Sequence, residues 1–412
     1  MMNILVVCQH YWPEPFNTSD ICEELASRGH RVTVLTAMPN AGLPGNEIPN
    51  KYRGKKICEE KRRGVRILRV KVHPRKDGAF NRVRNYLSFW RNAGKVAGSL
   101  DGDFDVVLGY QFSPVMQVDP GIGYACKHGK KMLLYCFDLW PASLLVGGFK
   151  KGSLPYRWME AVSRRIYSKA DRIAVTSPLF DEYFRSELGL SIPDSVYLPQ
   201  YADDLFSVGS KLAVDSPIVE GFERGKVNFT FAGNVGRAQS VSTIVEAANR
   251  LRGEEDICFH VVGSGSCLDQ CKRSVESLEL PNIVFHGRKP VEEMPLYYAA
   301  SDAMLVTFEN SPIATYTLPR KVTTYLAAGK PVIAALSGET RRVIEEARCG
   351  VCCDAEDAEG LARIVKEFAS RSDGDRTEMG RAARNYYEAH FSKQKFFETL
   401  ERQLEELSRE RA

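Results

Sequence analysis

The strongest constraint on the fold is an alternation that runs through the chain twice. Short apolar runs rich in β-branched residues, such as 4–8 and 227–232, alternate with amphipathic windows of helical period, such as 19–28 and 241–251. Continuous apolar runs separated by helices are typical of buried parallel strands covered on both faces. The sequence therefore predicts an α/β protein with two doubly wound, Rossmann-like domains.

The same pattern predicts individual elements in both halves. Strands are predicted at residues 4–8, 32–36, 65–70, 104–108, 132–137 and 172–176, and then at 227–232, 257–262, 283–286, 303–307, 331–335 and 350–353. Helices are predicted at residues 19–28, 82–98, 118–128 and 156–168, and then at 241–251, 268–279, 318–328, 340–347 and 360–370. A chain of 412 residues is long enough for two domains of this kind.

The two halves meet near residues 197–204, and irregular sequence continues to about Gly225. The turn-forming residues that indicate a linker are Gly209, Ser210, Asp215, Ser216 and Pro217. We therefore expect an N-terminal domain over residues 1–200 and a C-terminal domain over 201–390. The charged helical pattern of 391–412 predicts a last helix that either caps the second domain or packs on the first.

The formal net charge of +4 hides an asymmetry between the halves. Residues 1–202 hold 29 Lys and Arg against 19 Asp and Glu, whereas residues 203–412 hold 27 against 33. Most of the excess lies in segment 51–100, where 16 basic residues face 3 acidic ones. Such an imbalance indicates an anionic partner for the first domain.

The beginning of the chain and its cysteines bear on location and on metal binding. No basic leader precedes the first apolar run, and no stretch approaches the ~18 apolar residues that span a bilayer, so we expect a cytoplasmic protein. The 11 Cys lie mostly within apolar runs, which predicts buried thiols of a reducing compartment. Residues 349–353 resemble half of a zinc site without the other half, so no metal site is expected.

Ligands of doubly wound sheets bind beyond the carboxyl ends of the strands, so residues that follow a strand are the first candidates. In the first half, the loop after the first strand carries His10 and leads to Asn17 and Thr18, either plain helix caps or acceptor-binding residues. Asp138 follows another strand, where it can orient or deprotonate a hydroxyl or simply close a turn. Ser177 follows a third strand, as an acceptor ligand or a helix cap.

Two glycine-rich loops follow the first two predicted strands of the second half. The donor-binding candidates in these loops are Gly233, Asn234, Gly236, Arg237, Gln239, Gly263 and Ser264. Glycine lets backbone N–H groups approach a phosphate closely, and a helix N-terminus follows each loop. The spacing matches neither GxGxxG nor GxxxxGK[ST], which argues against a dehydrogenase and an ATPase.

Two further basic residues complete the predicted nucleotide site. Arg288 follows the third strand and either contacts a base or lies on the surface. Lys321 lies in the first turn of a helix that Pro319 opens. Basic residues are unfavourable at a helix N-terminus, and an anionic ligand there would offset that cost. Lys321 is therefore the best candidate cation for a diphosphate, with a solvated surface lysine as the alternative.

Together these residues resemble a glycosyltransferase of family 4 with the GT-B fold, in its capsule and O-antigen branch. The resemblance spans nearly the whole chain and rests on residues 9–15, 29–36, 85–89, 138–141, 197–200, 233–239 and 319–331. It implies two Rossmann-like domains facing a central cleft, with the acceptor on the first, the nucleotide sugar on the second, and a last helix that returns to the first. The implied reaction is a retaining, metal-independent transfer from a UDP-linked sugar, without another cofactor, in surface polysaccharide biosynthesis.

The chain departs from the family's pattern at two places. Asn234 and Gln239 stand where the family places Arg and Lys, although Arg237 lies between them. Thr324 stands where a family Glu grips the ribose, so ribose binding must use other groups. Glu339, one strand later, is a candidate substitute for that carboxylate.

The resemblance also implies roles in the reaction. Backbone N–H groups of residues 233–236, Arg237 and Lys321 would stabilise the leaving diphosphate without metal. The donor phosphate would accept the proton of the acceptor hydroxyl, and Asp138 would orient the acceptor. No Asp-x-Asp pair follows a predicted strand of the second half, in agreement with this expectation.

The basic segment 51–100 then acquires a function. Residues 82–91 mix cations with Tyr86, Phe89 and Trp90, as in helices that lie on anionic bilayers. A polyprenyl-diphosphate-linked or saccharide acceptor would be met there, with the protein peripheral on the inner face of the cell membrane; a solvated charged face is the alternative. Nucleic acid is not expected, because no recognition motif accompanies the charge.

Three other classes of protein compete with this interpretation. A non-hydrolysing UDP-sugar epimerase shares the two-domain architecture and is the main alternative; it would convert a nucleotide sugar without any acceptor. A solute-binding protein should carry an export signal, and a dehydrogenase should carry a dinucleotide fingerprint. The transferase hypothesis therefore leads, and the sugar, linkage and oligomeric state remain open at this point.

Overall fold

A computed structural model describes residues 1–42, 46–76, 78–192, 194–206, 219–223 and 225–410. The chain divides into two compact units, the first formed by Met1–Leu198 with Phe397–Ala412 and the second by Pro199–Phe396. The five residues that indicated the linker, Gly209 to Pro217, lie outside the described residues.

The first unit is built on an eight-stranded sheet. Its strands are β1 (Asn3–Val7), β2 (Arg31–Ala37), β3 (Ile57–Arg62), β4 (Val65–Val70), β5 (Val106–Gln111), β6 (Lys131–Cys136), β7 (Arg172–Val175) and β8 (Ser195–Tyr197). Its helices are α1 (Thr18–Ser27), α2 (Ala79–Ser99), α3 (Asp119–His128), α4 (Ser143–Val146), α5 (Leu154–Lys169) and α6 (Phe180–Ser186). The strand order is β3-β4-β2-β1-β5-β6-β7-β8. Because chain order reverses beside β1, residues after β1, β5 and β6 meet at one edge of the sheet.

All six strands predicted in the first half are present, and two strands of the sheet were missed. Strand β3 pairs antiparallel with β4 at the sheet edge, and its sequence Ile-Cys-Glu-Glu-Lys-Arg lacks the apolar run that identifies the others. Edge strands need bury only part of one face, and charged residues there oppose pairing with another chain. Strand β8 has only three residues, too few for a periodicity.

The second unit is built on a six-stranded parallel sheet. Its strands are β9 (Val227–Asn234), β10 (Ile257–Ser264), β11 (Ile283–Gly287), β12 (Ala303–Thr307), β13 (Val332–Ala335) and β14 (Gly350–Cys353). Its helices are α7 (Val241–Arg250), α8 (Leu268–Ser277), α9 (Met294–Ala300), α10 (Pro312–Tyr316), α11 (Arg320–Ala327), α12 (Glu339–Glu346), α13 (Ala358–Ala369) and α14 (Asp373–His390). The order β11-β10-β9-β12-β13-β14 contains every strand predicted for this half, so the predicted fold class is confirmed.

The last helix, α15 (Lys393–Arg409), carries residues that bond to the first unit. Glu401 accepts hydrogen bonds from Arg28 at 3.2 Å and lies 3.1 Å from His30 Nε2. Within the next five residues of the helix, Gln403 and Glu406 accept hydrogen bonds from Arg172 at the start of β7. These charged contacts accompany a buried apolar stripe that includes Phe397, Leu400 and Leu404.

Candidate active site

The second unit holds a cavity of about 510 Å³ at the carboxyl ends of β9 and β10. The two strands pair in parallel register, with Gly233 opposite Gly263 and Asn234 opposite Ser264. All four of these predicted donor-binding residues line the cavity. The parallel register is what brings two loops that are 30 positions apart in sequence to one place.

Glycine is required where the two loops touch. A Cβ on Gly263 would lie 1.8 Å from the carbonyl oxygen of Gly233, far inside van der Waals contact. A Cβ on Gly233 would lie 3.1 Å from Lys321 Nζ. The absence of side chains here leaves the backbone open to a ligand and leaves room for the lysine.

Lys321 is the most unusual ionisable residue of the cavity. Its Nζ atom is buried without a hydrogen-bond partner in the described part of the chain, and it lies 4.2 Å from the centre of the Phe231 ring. Burial away from water lowers the pKa of Lys321 to about 7, because the ammonium is not solvated there. A buried cation without a partner is costly unless an anion binds beside it.

Other basic residues share the cavity wall. Arg288, Lys289 and Arg320 all line it, and Asp203 is the acidic residue among the lining residues. Arg320 donates to Asp203 Oδ1 at 2.7 Å and to the carbonyl of Tyr201 at 3.3 Å, so it also fastens the start of this unit. The balance of charge favours an anionic ligand.

Sequence reasoning missed an apolar part of the wall, made by Phe206, Val291, Met294 and Tyr298. The ring of Phe206 stacks on Tyr298 at 5.1 Å. Neither residue follows a strand, and no local motif marks them; only the fold brings α9 beside Phe206. Such a surface suits a planar ring, as pockets for small molecules commonly pair apolar walls with a few polar groups.

Some predicted donor residues lie elsewhere. The Arg237 side chain is 91% exposed, lies 3.5 Å from Glu309 and does not line the cavity. Gln239 is also absent from the lining, but its Oε1 accepts a hydrogen bond from Asn234 Nδ2 at 3.2 Å and so positions that amide. Gly236 packs against the same Asn234 side chain, where a Cβ would lie 2.6 Å from Nδ2.

The two ribose candidates separate clearly. Thr324 lines the cavity and its hydroxyl donates to the carbonyl of Arg320 at 3.0 Å. Glu339 does not line it; its side chain is 1% exposed and takes two hydrogen bonds from Arg342, at 2.7 and 2.9 Å. The structure therefore does not bring Glu339 to the place of the missing family carboxylate.

In the first unit, His10 is buried in the loop after β1. Its Nδ1 lies 2.9 Å from Glu14 Oε2, and Arg75 donates to its Nε2 at 3.2 Å. Because an arginine can only donate, Nε2 acts as the acceptor and Nδ1 carries the proton toward Glu14. Glu14 is itself held by the N–H groups of Asn40 and Ala41, both at 2.6 Å.

Asp138 follows β6 at the same edge of the sheet. Ser113 donates to Asp138 Oδ2 at 2.5 Å, and Trp140 Nε1 donates to Ser113 Oγ at 3.2 Å. Burial raises the pKa of Asp138 above its ordinary value, and the hydrogen bond from Ser113 acts in the opposite direction. This arrangement holds Oδ2 in place, so Oδ1 is the oxygen that can accept a hydrogen bond from an acceptor hydroxyl.

The remaining acceptor candidates, Ser177, Asn17 and Thr18, lie at or next to the starts of helices. Ser177 Oγ accepts a hydrogen bond from the N–H of Leu179 at 3.3 Å, which is the capping alternative. Asn17 occupies the N-cap position of α1 but makes no side-chain capping bond. Thr18, the first residue of α1, has a buried hydroxyl without a partner in the described structure.

Two features are absent from the described residues. None of their helices is long and apolar enough to cross a membrane. No group of three or more His, Cys, Asp or Glu side chains within residues 1–410, apart from the gaps given above, is arranged to hold a metal ion.

Two family models match the chain. The model "Glycosyl transferase 4-like domain" matches residues 17–199, and "Glycosyl transferases group 1" matches residues 216–386. The probable glycosyltransferase WbjE of Pseudomonas aeruginosa is 29% identical over 296 residues, covering 70% of this chain and 71% of that protein. The putative colanic acid biosynthesis glycosyl transferase WcaI of Escherichia coli (strain K12) is 24% identical over 382 residues, covering 89% and 92%.

Solved structures agree on the fold. Sucrose-phosphate synthase from Thermosynechococcus elongatus matches with a TM-score of 0.72 at 16% identity, covering 98% of this chain and 99% of that chain. HepE from Anabaena, solved in complex with UDP and glucose, matches with a TM-score of 0.72 at 14% identity, covering 98% and 100%. With two family models on its two halves and this architecture, the chain belongs to family 4 of the glycosyltransferases and has the GT-B fold.

Proposed function

We propose that this glycosyltransferase moves a sugar from a UDP-linked donor to a saccharide or polyprenyl-diphosphate-linked acceptor in surface polysaccharide biosynthesis. The observation that carries the donor part is the buried, unpartnered Nζ of Lys321 beside the two glycine loops. The relatives support the process, since WcaI is named for colanic acid biosynthesis. HepE, of the same fold, supports UDP as the nucleotide, since it was solved with UDP and glucose.

The lining of the cavity supports separate binding sites for the diphosphate, the base and the ribose of the donor. The diphosphate would lie against the N–H groups of Gly233 and Gly263, with Lys321 as its main cation. The base would pack on the apolar wall of Phe206 and Tyr298, and the ribose would lie near Thr324 in place of the missing carboxylate contact. In this proposal Arg237, at the surface, has no direct role in the donor site.

The proposed chemistry is a retaining transfer without a metal or a further cofactor. The bond from the sugar's anomeric carbon to the donor phosphate breaks, and a bond to the acceptor oxygen forms on the same face. The acceptor proton passes to the departing phosphate, whose charge Lys321 and the loop N–H groups stabilise. Asp138 orients the acceptor hydroxyl, and His10 and Thr18 remain candidates for contacts with the rest of the acceptor.

The decisive experiment is a ligand screen followed by product analysis. A nucleotide present at about 100 times its Kd should stabilise the protein by about 2.7 kcal/mol, so UDP, GDP, dTDP and their sugars can be ranked by thermal shift. NMR of the product then reports the anomeric configuration, and activity in EDTA tests metal independence. Failure of every nucleotide sugar to stabilise the chain would refute the donor assignment, and an epimerised nucleotide sugar formed without acceptor would favour the epimerase.

A further inference from the structure

Helix α2 presents an apolar stripe to solvent that packing within the unit does not explain. Its buried face is formed by Asn85, Phe89, Ala93 and Ala97, at intervals of four. A second stripe, at intervals of three and four, is exposed and consists of Phe80, Val83, Leu87 and Trp90, of which Phe80 is 72% exposed. Residues with this spacing share one side of a helix. The helix therefore has two apolar faces and only one of them is covered by the first unit.

A second segment of the first unit shows the same feature. The end of α4, the turn after it and the start of α5 expose Leu145, Val146, Phe149, Leu154 and Trp158, of which Leu154 is 83% exposed and Trp158 is 51% exposed. Leu154 and Trp158 lie one turn apart on α5. Nothing in the composition of this segment had identified it, because its apolar residues are interrupted by glycines and lysines.

The two exposed segments belong to one surface. Trp90 of α2 donates to Asp119 Oδ2 at 2.7 Å, and Arg165 of α5 lies 2.9 Å from Asp119 Oδ1. Each helix follows a parallel strand of the same sheet, so both run in the same direction. Counted at 1.5 Å per residue, Phe80 and Leu154 each lie about 15 Å before the common contact at Asp119. Their first turns therefore project together from the carboxyl edge of the sheet, the edge that carries Asp138.

The charge of this surface has one sign. Residues 78–100 and residues 139–159 contain no Asp or Glu. The cations on them without an ion pair to any described residue are Arg82, Arg84, Arg91, Lys95, Lys150 and Arg157. Elsewhere in segment 51–100, Arg69 is buried and Arg66 pairs with Glu59 at 2.7 Å, whereas Lys55, Lys56, Lys61, Lys71 and Lys76 are exposed. Exposed cations without an ion pair to a described residue thus also occur beyond segment 51–100, at Lys150 and Arg157 beside the exposed apolar residues of 145–158.

We propose that the exposed stripe of α2 and the 145–158 segment form one docking face for an anionic lipid bilayer, with Phe80, Leu154 and Trp158 inserted between headgroups. An anionic bilayer would bind both the cations and the exposed apolar side chains of this face. Lys and Arg attract the anionic headgroups, and aromatic and aliphatic side chains insert at the boundary with the acyl chains. A nucleic acid would engage the cations but would leave the large apolar side chains in water. The face lies on the first unit alone and does not depend on the proposed donor.

Vesicle binding tests this proposal directly. Full-length protein is sedimented with phosphatidylcholine vesicles, with and without phosphatidylglycerol, and fluorescence is quenched with bromine-labelled lipid. We expect binding only to the anionic vesicles, with quenching that falls strongly in Trp158→Phe while binding persists. Arg84→Gln with Arg91→Gln on one helix, and Leu154→Ser with Trp158→Ser on the other, should each weaken binding by about tenfold or more.

The controls test whether binding depends on this face in particular or on exposed charge and apolar surface anywhere on the protein. Lys272→Gln with Arg273→Gln on α8, and Leu278→Ser directly after it, make comparable changes at exposed residues of the second unit and should leave vesicle binding unchanged. The thermal shift caused by UDP should be the same in all variants, which keeps a failure here distinct from a failure of the donor proposal. The proposal would be overturned if vesicle binding did not depend on the anionic lipid, or if the α2 and α5 variants bound vesicles as well as wild type does. So would a dimer in solution that these variants dissociate, since the face would then join two copies.

Discussion

Replacement of Lys321 by Met should weaken nucleotide binding and stabilise the free protein at the same time. The lysine has an ordinary pKa of 10.5 and a pKa of about 7 in the cavity, because its Nζ is buried. At about 1.4 kcal/mol for each tenfold change in proton affinity, charging the side chain there costs about 5 kcal/mol relative to water. Met has a similar length and no charge, so it removes this cost while preserving the packing over Phe231.

The sign of the pH dependence follows from these pKa values. Between pH 7 and 10 the unfolded chain binds the lysine proton and the folded chain does not, so wild-type stability rises with pH across this interval. At pH 7.5 the unfavourable term amounts to as much as about 4 kcal/mol, and Lys321→Met should recover part of it. The unfolding temperature should rise by about 2–4 °C for each kcal/mol recovered.

Nucleotide binding should show the opposite dependence. A bound diphosphate raises the pKa of Lys321 again, so binding above pH 7 takes up a proton. The Kd of wild type for UDP should therefore increase by up to about 50-fold from pH 7 to pH 9, whereas that of Lys321→Met should stay level. At pH 7 the variant should bind more weakly by about 2–5 kcal/mol, the cost of truncating one side of a buried charge pair.

Calorimetry in two buffers of different ionisation enthalpy counts the protons taken up, and thermal unfolding without ligand measures stability. Lys272→Met is the matched control, since Lys272 is an exposed lysine of the same unit. The reasoning would be refuted if Lys321→Met bound UDP as tightly as wild type at every pH. A variant that was less stable than wild type without ligand would refute the energetic part.

Four further predictions concern other residues. Asp138→Asn should lower kcat with little change in UDP affinity, and an unchanged rate would discard the acceptor role. Ser113→Ala should shift the acidic limb of the pH–rate profile to higher pH, because it removes the hydrogen bond that lowers the pKa of Asp138. Gly263→Ala should destabilise the second unit by about 1–3 kcal/mol in thermal unfolding, since its Cβ has no space; Gly253→Ala, with open space, is the control. His260, whose pKa burial lowers to about 3, should make stability fall as pH drops below 6.5, by at most about 1.4 kcal/mol per pH unit, and this slope should be smaller in His260→Gln.

The periodicity of the chain predicted most of the fold. Buried parallel strands such as β1 and β13 are apolar along almost their whole length, so local sequence reveals them. Strand β3 was not predicted, because an edge strand tolerates Glu and Lys and forms only through its pairing with β4. The glycine loops of the site could be found because backbone approach to a ligand requires residues without side chains.

Local sequence could not assign the remaining site residues, because their surroundings come from distant elements. The sequence offered both Arg237 and Lys321 as phosphate ligands, but Arg237 is exposed and Lys321 Nζ is buried. Glu339 stands at a plausible spacing, yet Arg342 engages it away from the cavity. Burial and pairing are properties of the packed structure, and they separate a ligand from a surface residue.

The sequence by itself determined the two-sheet architecture through its periodicity, the family through the resemblance of its motifs, and the candidate ligand-binding residues through their position after predicted strands. Tertiary structure decided which cations face the cavity and which exposed apolar residues form one surface. Phe80 and Leu154 are 74 positions apart, and only helices that follow parallel strands of one sheet bring them to the same edge of it. Long-range contact, which no local pattern encodes, is the physical reason for that division.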